Sequence, residues 1–65
     1  MGYIVIFWKR DCEIINGVPV LGEKKAIFSK EYRDTRNEIK EMMEDIKEWE
    51  DEDLVCNGTS SYREE

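Results

Sequence analysis

An α+β fold, a small antiparallel β-hairpin packed on one amphipathic C-terminal α-helix, is predicted by three features of this sequence. A β-branched and aromatic run, Tyr3-Ile4-Val5-Ile6-Phe7-Trp8, opens the chain, Asn16-Gly17 stands between apolar flanks, and from about Ser29 the apolar period changes to that of a helix. A chain of 65 residues holds one domain with a modest core, because short chains bury a smaller share of their surface. Residues 1–56 are expected to form that domain and residues 57–65 a flexible polar tail.

The run from Tyr3 to Trp8 suits a pleated strand better than a helical turn. Asn16-Gly17, between Ile14-Ile15 and Val18, predicts a type I′ turn, whose two central residues both need φ > 0. The hairpin is expected over residues 3–15 and 18–29, with Pro19 confined to an edge or an irregularity because it cannot donate a ladder bond. Pairing Ile15 with Val18 sets Arg10 opposite Glu23, Trp8 opposite Lys25, Ile6 opposite Ile27 and Val5 opposite Phe28. The same register sets Lys9 against Lys24, which together with Gly22 predicts a bulge or break near residues 9–12 and 22.

Two helix starts are available: Ser29 as a cap before Lys30, or Thr35 with Glu38 as a capping box further in. The helix should run to about Glu52 and bury one stripe, formed by Tyr32, Ile39, Met42, Met43, Ile46 and Trp49. Leu54-Val55-Cys56 either adds a short strand or packs, and Asn57 onward reads as the frayed tail.

Charge narrows the function classes. The formal charge is -6, from sixteen acids against ten bases. Residues 34–53 alone hold ten acids against Arg36, Lys40 and Lys47, a balance of -7. Such a chain is repelled by nucleic acid and by anionic membranes and attracted to basic surfaces, so a basic nucleic-acid-binding protein is the expected partner. Cys12 and Cys56 stand far apart without a CxxC, and the apolar run near the start is short with nothing basic before it. Two free thiols in the cytoplasm are therefore expected, with a single Cys12–Cys56 disulfide as the alternative.

The candidate binding residues are Asp34, Glu38, Glu41, Asp45, Glu48 and Glu52, which fall within an arc of about 80° on the far side of the helix. Their three- and four-residue spacing makes a row roughly 27 Å long, with steps comparable to those between phosphates along a DNA strand. A solvated face of an ordinary amphipathic helix would look the same. On one flank Arg33, Lys40 and Lys47 alternate with Glu44 and Asp51 as spaced ion pairs. The helix is expected to fold without the carboxylates at the stripe's centre, Glu41, Asp45 and Glu48, its stability coming from the opposite face and from the capping end.

A second candidate interface comes from the first strand, which is apolar on both alternating sets. If the helix covers Tyr3, Val5 and Phe7, the face bearing Ile4, Ile6 and Trp8 is left open. Its cover would be the segment around Leu54-Val55, a second copy in a homodimer, or a foreign partner.

Catalysis is disfavoured: there is no histidine, no glycine-rich phosphate loop, and no cleft in which carboxylates would shift their pKa. No cofactor is expected, and Asp51-Glu52-Asp53 lacks the spaced oxygens of a calcium loop. Asn57-Gly58-Thr59 matches a glycosylation sequon, which carries no meaning without a secretory signal. In overall type, as a tiny acidic α+β chain without catalytic residues, the sequence resembles the small inhibitors that phages make against host defence systems, some of which imitate DNA. That resemblance implies an anti-defence inhibitor and covers no specific motif.

Overall fold

A computed structural model of the chain describes residues 1–64. Strand β1 (Gly2–Ile15) and strand β2 (Val18–Arg33) form a long antiparallel hairpin, helix α1 (Arg36–Glu52) follows, and strand β3 (Asn57–Glu64) returns to the sheet. The strand order is β2-β1-β3, so the apolar β1 is central and both of its edges are paired over the first part of its length. The α+β class is as the sequence predicts.

The turn is where Asn16-Gly17 places it, with φ of 53° and 78° at the two residues, the left-handed region that a type I′ turn demands. Ile15 faces Val18 as expected, and the register then slips twice. The first slip, between Arg10 and Cys12, falls where like charges and Gly22 predict a break. It changes the expected pairs, so that Arg10 faces Lys24, Lys9 faces Lys25 and Trp8 faces Ala26. A second slip between Phe7 and Trp8 leaves Ile27 without a partner and sets Phe7 opposite Phe28 and Val5 opposite Lys30. Two one-residue insertions on β2 restore its original side-chain alternation, which brings Phe28, Lys30 and Tyr32 onto the helix-covered face.

Of the two helix starts, Thr35 is the one used. Its hydroxyl accepts from the Glu38 amide at 3.3 Å, while Ser29 to Arg33 stay in β2, paired with Ile6 to Gly2. Tyr32 is consequently a strand residue and not part of the helix stripe. It is buried with Val5 and Phe7 in the core, against which Met42, Ile46 and Trp49 pack. Ile39 is half-buried. Met43 is 65% exposed, because it lies at the edge of the buried arc and the sheet is too narrow to reach it.

Two further expectations are corrected. The segment from Asn57, read as a polar tail, is strand β3, with Tyr3 facing Arg63 and Phe7 facing Thr59. A strand at a sheet edge is held mainly by its ladder, and β1 would otherwise leave a row of unpaired backbone groups beside an apolar face. Its small residues also serve packing: Trp8 lies directly over Gly58 and its indole N–H donates to Ser60 Oγ at 3.2 Å. Nor are the thiols free. Cys12 and Cys56 form a disulfide across 44 residues of chain, with their Cα atoms 6.2 Å apart. It ties the hairpin to the turn after α1, beside the bond from the Arg10 amide to the Cys56 carbonyl at 2.8 Å.

Leu54 and Val55 neither add a strand nor cover the sheet: Leu54 is 78% exposed, and Val55 is exposed beside it. Among the described residues, no helix is long and apolar enough to cross a membrane.

Candidate acidic face and aromatic groove

Helix α1 is anchored along both of its flanks. Toward β1 and β3, the Trp49 indole N–H is shared between the carbonyls of Trp8 and Gly58, at 3.1 and 3.0 Å. Asn57 donates its side-chain amide to the Trp49 carbonyl at 2.9 Å, and Thr59 donates to Glu50 at 3.1 Å. Asn57 is buried by these contacts, so the nitrogen that a glycan would need is already committed and the sequon is not an accessible acceptor.

Toward β2, Tyr32 donates its hydroxyl to Asp45 Oδ2 at 2.7 Å. The Lys30 ammonium bridges Glu41 and Asp45 at 3.1 Å each and sits 5.0 Å from the Tyr32 ring centre. The Tyr32 hydrogen bond, followed by the Lys30 cation, lowers the Asp45 carboxyl below its usual range. Burial, then the bond to Asp45, pushes Tyr32 up to about 12. Lys30 is raised above the ordinary lysine range by the same two carboxylates.

Of the six acids predicted as a binding stripe, Asp34 precedes the helix and the other five lie on the β2-side flank of α1 rather than on the side opposite the sheet, and four of the six have partners. Asp45 and Glu41 hold Lys30, Glu38 caps the helix with Thr35 and lies 4.0 Å from Arg33, and Asp34 lies 3.8 Å from Arg63. The cations that neutralise them come from other elements, β2 and β3. Only Glu48 and Glu52 have no ion pair among the described residues. The flank pairing expected for Lys40 and Lys47 with Glu44 and Asp51 does not form among the described residues either.

The unpaired acids concentrate in the C-terminal half of α1, where Glu44, Glu48, Asp51 and Glu52 are exposed. No basic residue occupies the last turn. Helix C-termini carry partial negative charge, so each acid there costs roughly 0.3–1 kcal/mol that a lysine would recover. Asp53 offsets part of this by accepting from the amides of Val55 and Cys56 at 3.3 and 3.2 Å, which turns the chain toward β3.

Beside these acids the helix stands off β2 and leaves a groove of about 270 Å³, with Phe7, Phe28, Tyr32 and Trp49 in its walls, Asp45, Glu48 and Glu52 along its helix side, and the Asp45-paired Lys30 closing the end nearer Tyr32. Phe28 stacks on Phe7 with ring centres 4.5 Å apart, and both meet Trp49 edge to face. The sequence reading missed this groove. Its signal was the alternation Phe28, Lys30, Tyr32 continuing past Ser29, which marks β2 as a strand with an aromatic inner face.

The opposite face of the sheet is the one that α1 leaves uncovered. Ile4, Ile6 and Trp8 share that face and are half-buried, with Ile27 and Tyr62 exposed nearby. Lys24 and Arg10 sit over the Trp8 ring at 4.7 and 5.2 Å. No family model, curated protein or solved structure matches this chain.

Proposed function

We propose that this is a non-catalytic binding protein that inhibits or regulates a basic, nucleic-acid-handling protein through the C-terminal half of α1. The observation that carries this reading is the unpaired acids at the end of the helix, Glu48, Asp51 and Glu52, where no basic residue stands in the last turn. Folding alone favours cations there, so their absence is explained by something outside the chain that supplies the positive charge. From Glu44 to Glu52 the acids span about 12 Å, a shorter row than the sequence suggested, which imitates a few phosphates rather than a long backbone segment. An anti-defence inhibitor that occupies part of a nucleic-acid groove is the specific form of this reading.

Affinity capture at low and high salt tests it, using the native protein and the variant E48K/D51K/E52K. The variant should melt at or slightly above the native temperature, because lysines suit the helix end, and should lose the partner. DNA should displace the native protein from that partner. Retention of the partner by the variant, or indifference of binding to salt, overturns the reading.

A cytoplasmic site of action belongs to the same reading. The Cys12–Cys56 bridge weighs against it, since reducing compartments keep such pairs as thiols. Trapping of thiols by alkylation in the intact cell decides the point.

One observation favours a second reading, an assembly module that pairs with its own copy. Helix α1 covers only one face of the sheet, and the face of Ile4, Ile6 and Trp8 is continuous with exposed Ile27 and Tyr62. Contiguous apolar surface of this kind marks interfaces on small proteins.

A further inference from the structure

We propose that the groove between α1 and β2 is an anchor site for a single arginine side chain of the partner, an inference that rests on the acidic-face reading above. The groove pairs an aromatic wall, Phe28 and Trp49, with two carboxylates one helical turn apart, Glu48 and Glu52. Phe28 is 48% exposed, a large apolar surface that the fold itself leaves unused.

The chain already contains a filled version of this arrangement two turns earlier. There Lys30 bridges Glu41 and Asp45 at 3.1 Å each, and its ammonium sits 5.0 Å from the centre of the Tyr32 ring. Phe28 precedes Lys30 and Tyr32 on the same face of β2, and Glu48 and Glu52 follow Glu41 and Asp45 along the same flank of α1. The repeat has aromatic groups and carboxylates, and no cation of the chain pairs with Glu48 or Glu52 among the described residues.

Charge complementarity identifies the occupant as a cation, and shape identifies which one. A guanidinium is planar, lies flat on an aromatic ring and is more weakly hydrated than an ammonium. Its fork donates to two carboxylate oxygens at once. An apolar stem of three methylenes would run over Phe28 while the head reaches Glu48 and Glu52.

The test titrates the disulfide-intact protein with Nα-acetyl-arginine amide and follows the Phe28 ring and Trp49 indole resonances by NMR. The neutral isostere Nα-acetyl-citrulline amide and the corresponding lysine amide are run beside it. Arginine should move both resonances saturably, lysine should bind on the order of threefold more weakly, and citrulline should leave them in place. In E48Q/E52Q the arginine affinity should fall on the order of fivefold, whereas E13Q/E23Q, which removes two exposed carboxylates of the hairpin arm, should keep it.

Equal shifts with citrulline, no saturable shift with arginine, or full affinity in E48Q/E52Q would each overturn the anchor. The outcome is separable from that of the acidic-face reading. Salt-sensitive capture of a basic partner with no arginine-amide response sinks the anchor and spares the face. A groove that binds arginine amide in a protein whose partner binding ignores salt does the reverse.

Discussion

Asp45 is the residue at which structure and charge are most tightly joined. It accepts the Tyr32 hydroxyl and the Lys30 ammonium at once, so the helix flank is held to β2 by a carboxylate that the sequence presents as a surface binding group. Reversing it to test partner binding would therefore confuse binding with folding, and D45N should destabilise the domain by about 1–2 kcal/mol in urea unfolding. The pH dependence has a definite sign. The folded-state pKa of Asp45 lies below the ordinary 3.8, so its contribution is complete above that pH and is lost as pH falls through the folded value. Native protein should lose this increment below about pH 4 and D45N should not. At the alkaline end Tyr32, raised from 10.0 to about 12, works in the opposite direction. Its neutral form is favoured by folding, and that contribution is lost as pH rises from 10 toward 12, an effect that Y32F abolishes. Gly58 makes a separate packing demand, because any Cβ there would enter the Trp8 ring, which is itself held by Ser60. G58A should cost about 1–3 kcal/mol and shift the Trp8 emission.

Elements with local signals were legible in the sequence, and elements defined by distant partners were not. The Asn16-Gly17 turn, the bulge near Gly22 and the Thr35–Glu38 cap each depend on a few adjacent residues, and each is present. Strand β3 is nearly devoid of apolar residues and exists because β1 offers an edge, so period and propensity are silent about it. The helix start was ambiguous because Ser29 is a plausible cap in isolation, whereas pairing to Ile6 keeps it in the strand. The candidate acids were visible as residues, but Lys30 and Arg63, which pair with three of them, arrive from other strands. The disulfide is likewise a long-range fact. It closes a 44-residue separation, which in the chain-entropy description is worth about 4 kcal/mol. The variant C12S/C56S should lose stability of that order, with amide exchange rising first in Cys12–Leu21, where no third strand supports the hairpin.

The whole molecule is long for its mass, 46 × 19 × 13 Å with a radius of gyration of 13.9 Å, against about 11 Å for a compact chain of this size. The excess length is the hairpin arm. Strand β3 pairs with β1 only as far as Lys9 opposite Asn57, and beyond it Ile14, Ile15, Val18, Val20 and Leu21 are all exposed. Helix and open sheet face thus divide the body of the molecule into an acidic flank and an apolar face, while the arm exposes apolar residues on both of its faces. The two readings of function divide along that line and predict different effects of one substitution. Ile6 lies at the centre of the open face, between Ser29 of β2 and Ser60 of β3, on the side away from α1. A lysine there loses some contact with its half-buried neighbours but does not touch Val5, Phe7 or the helix, so I6K should stay folded at a cost of about 1 kcal/mol. If the sheet face joins two copies, the native protein sediments as a concentration-dependent dimer, and I6K should be monomeric because the two-fold axis brings each new charge against its own copy. If α1 alone carries function, I6K keeps its salt-sensitive partner and the native protein sediments as a monomer throughout. Sedimentation velocity of both proteins over a range of concentrations separates the two outcomes, and a native monomer that loses its basic partner on I6K substitution contradicts both readings.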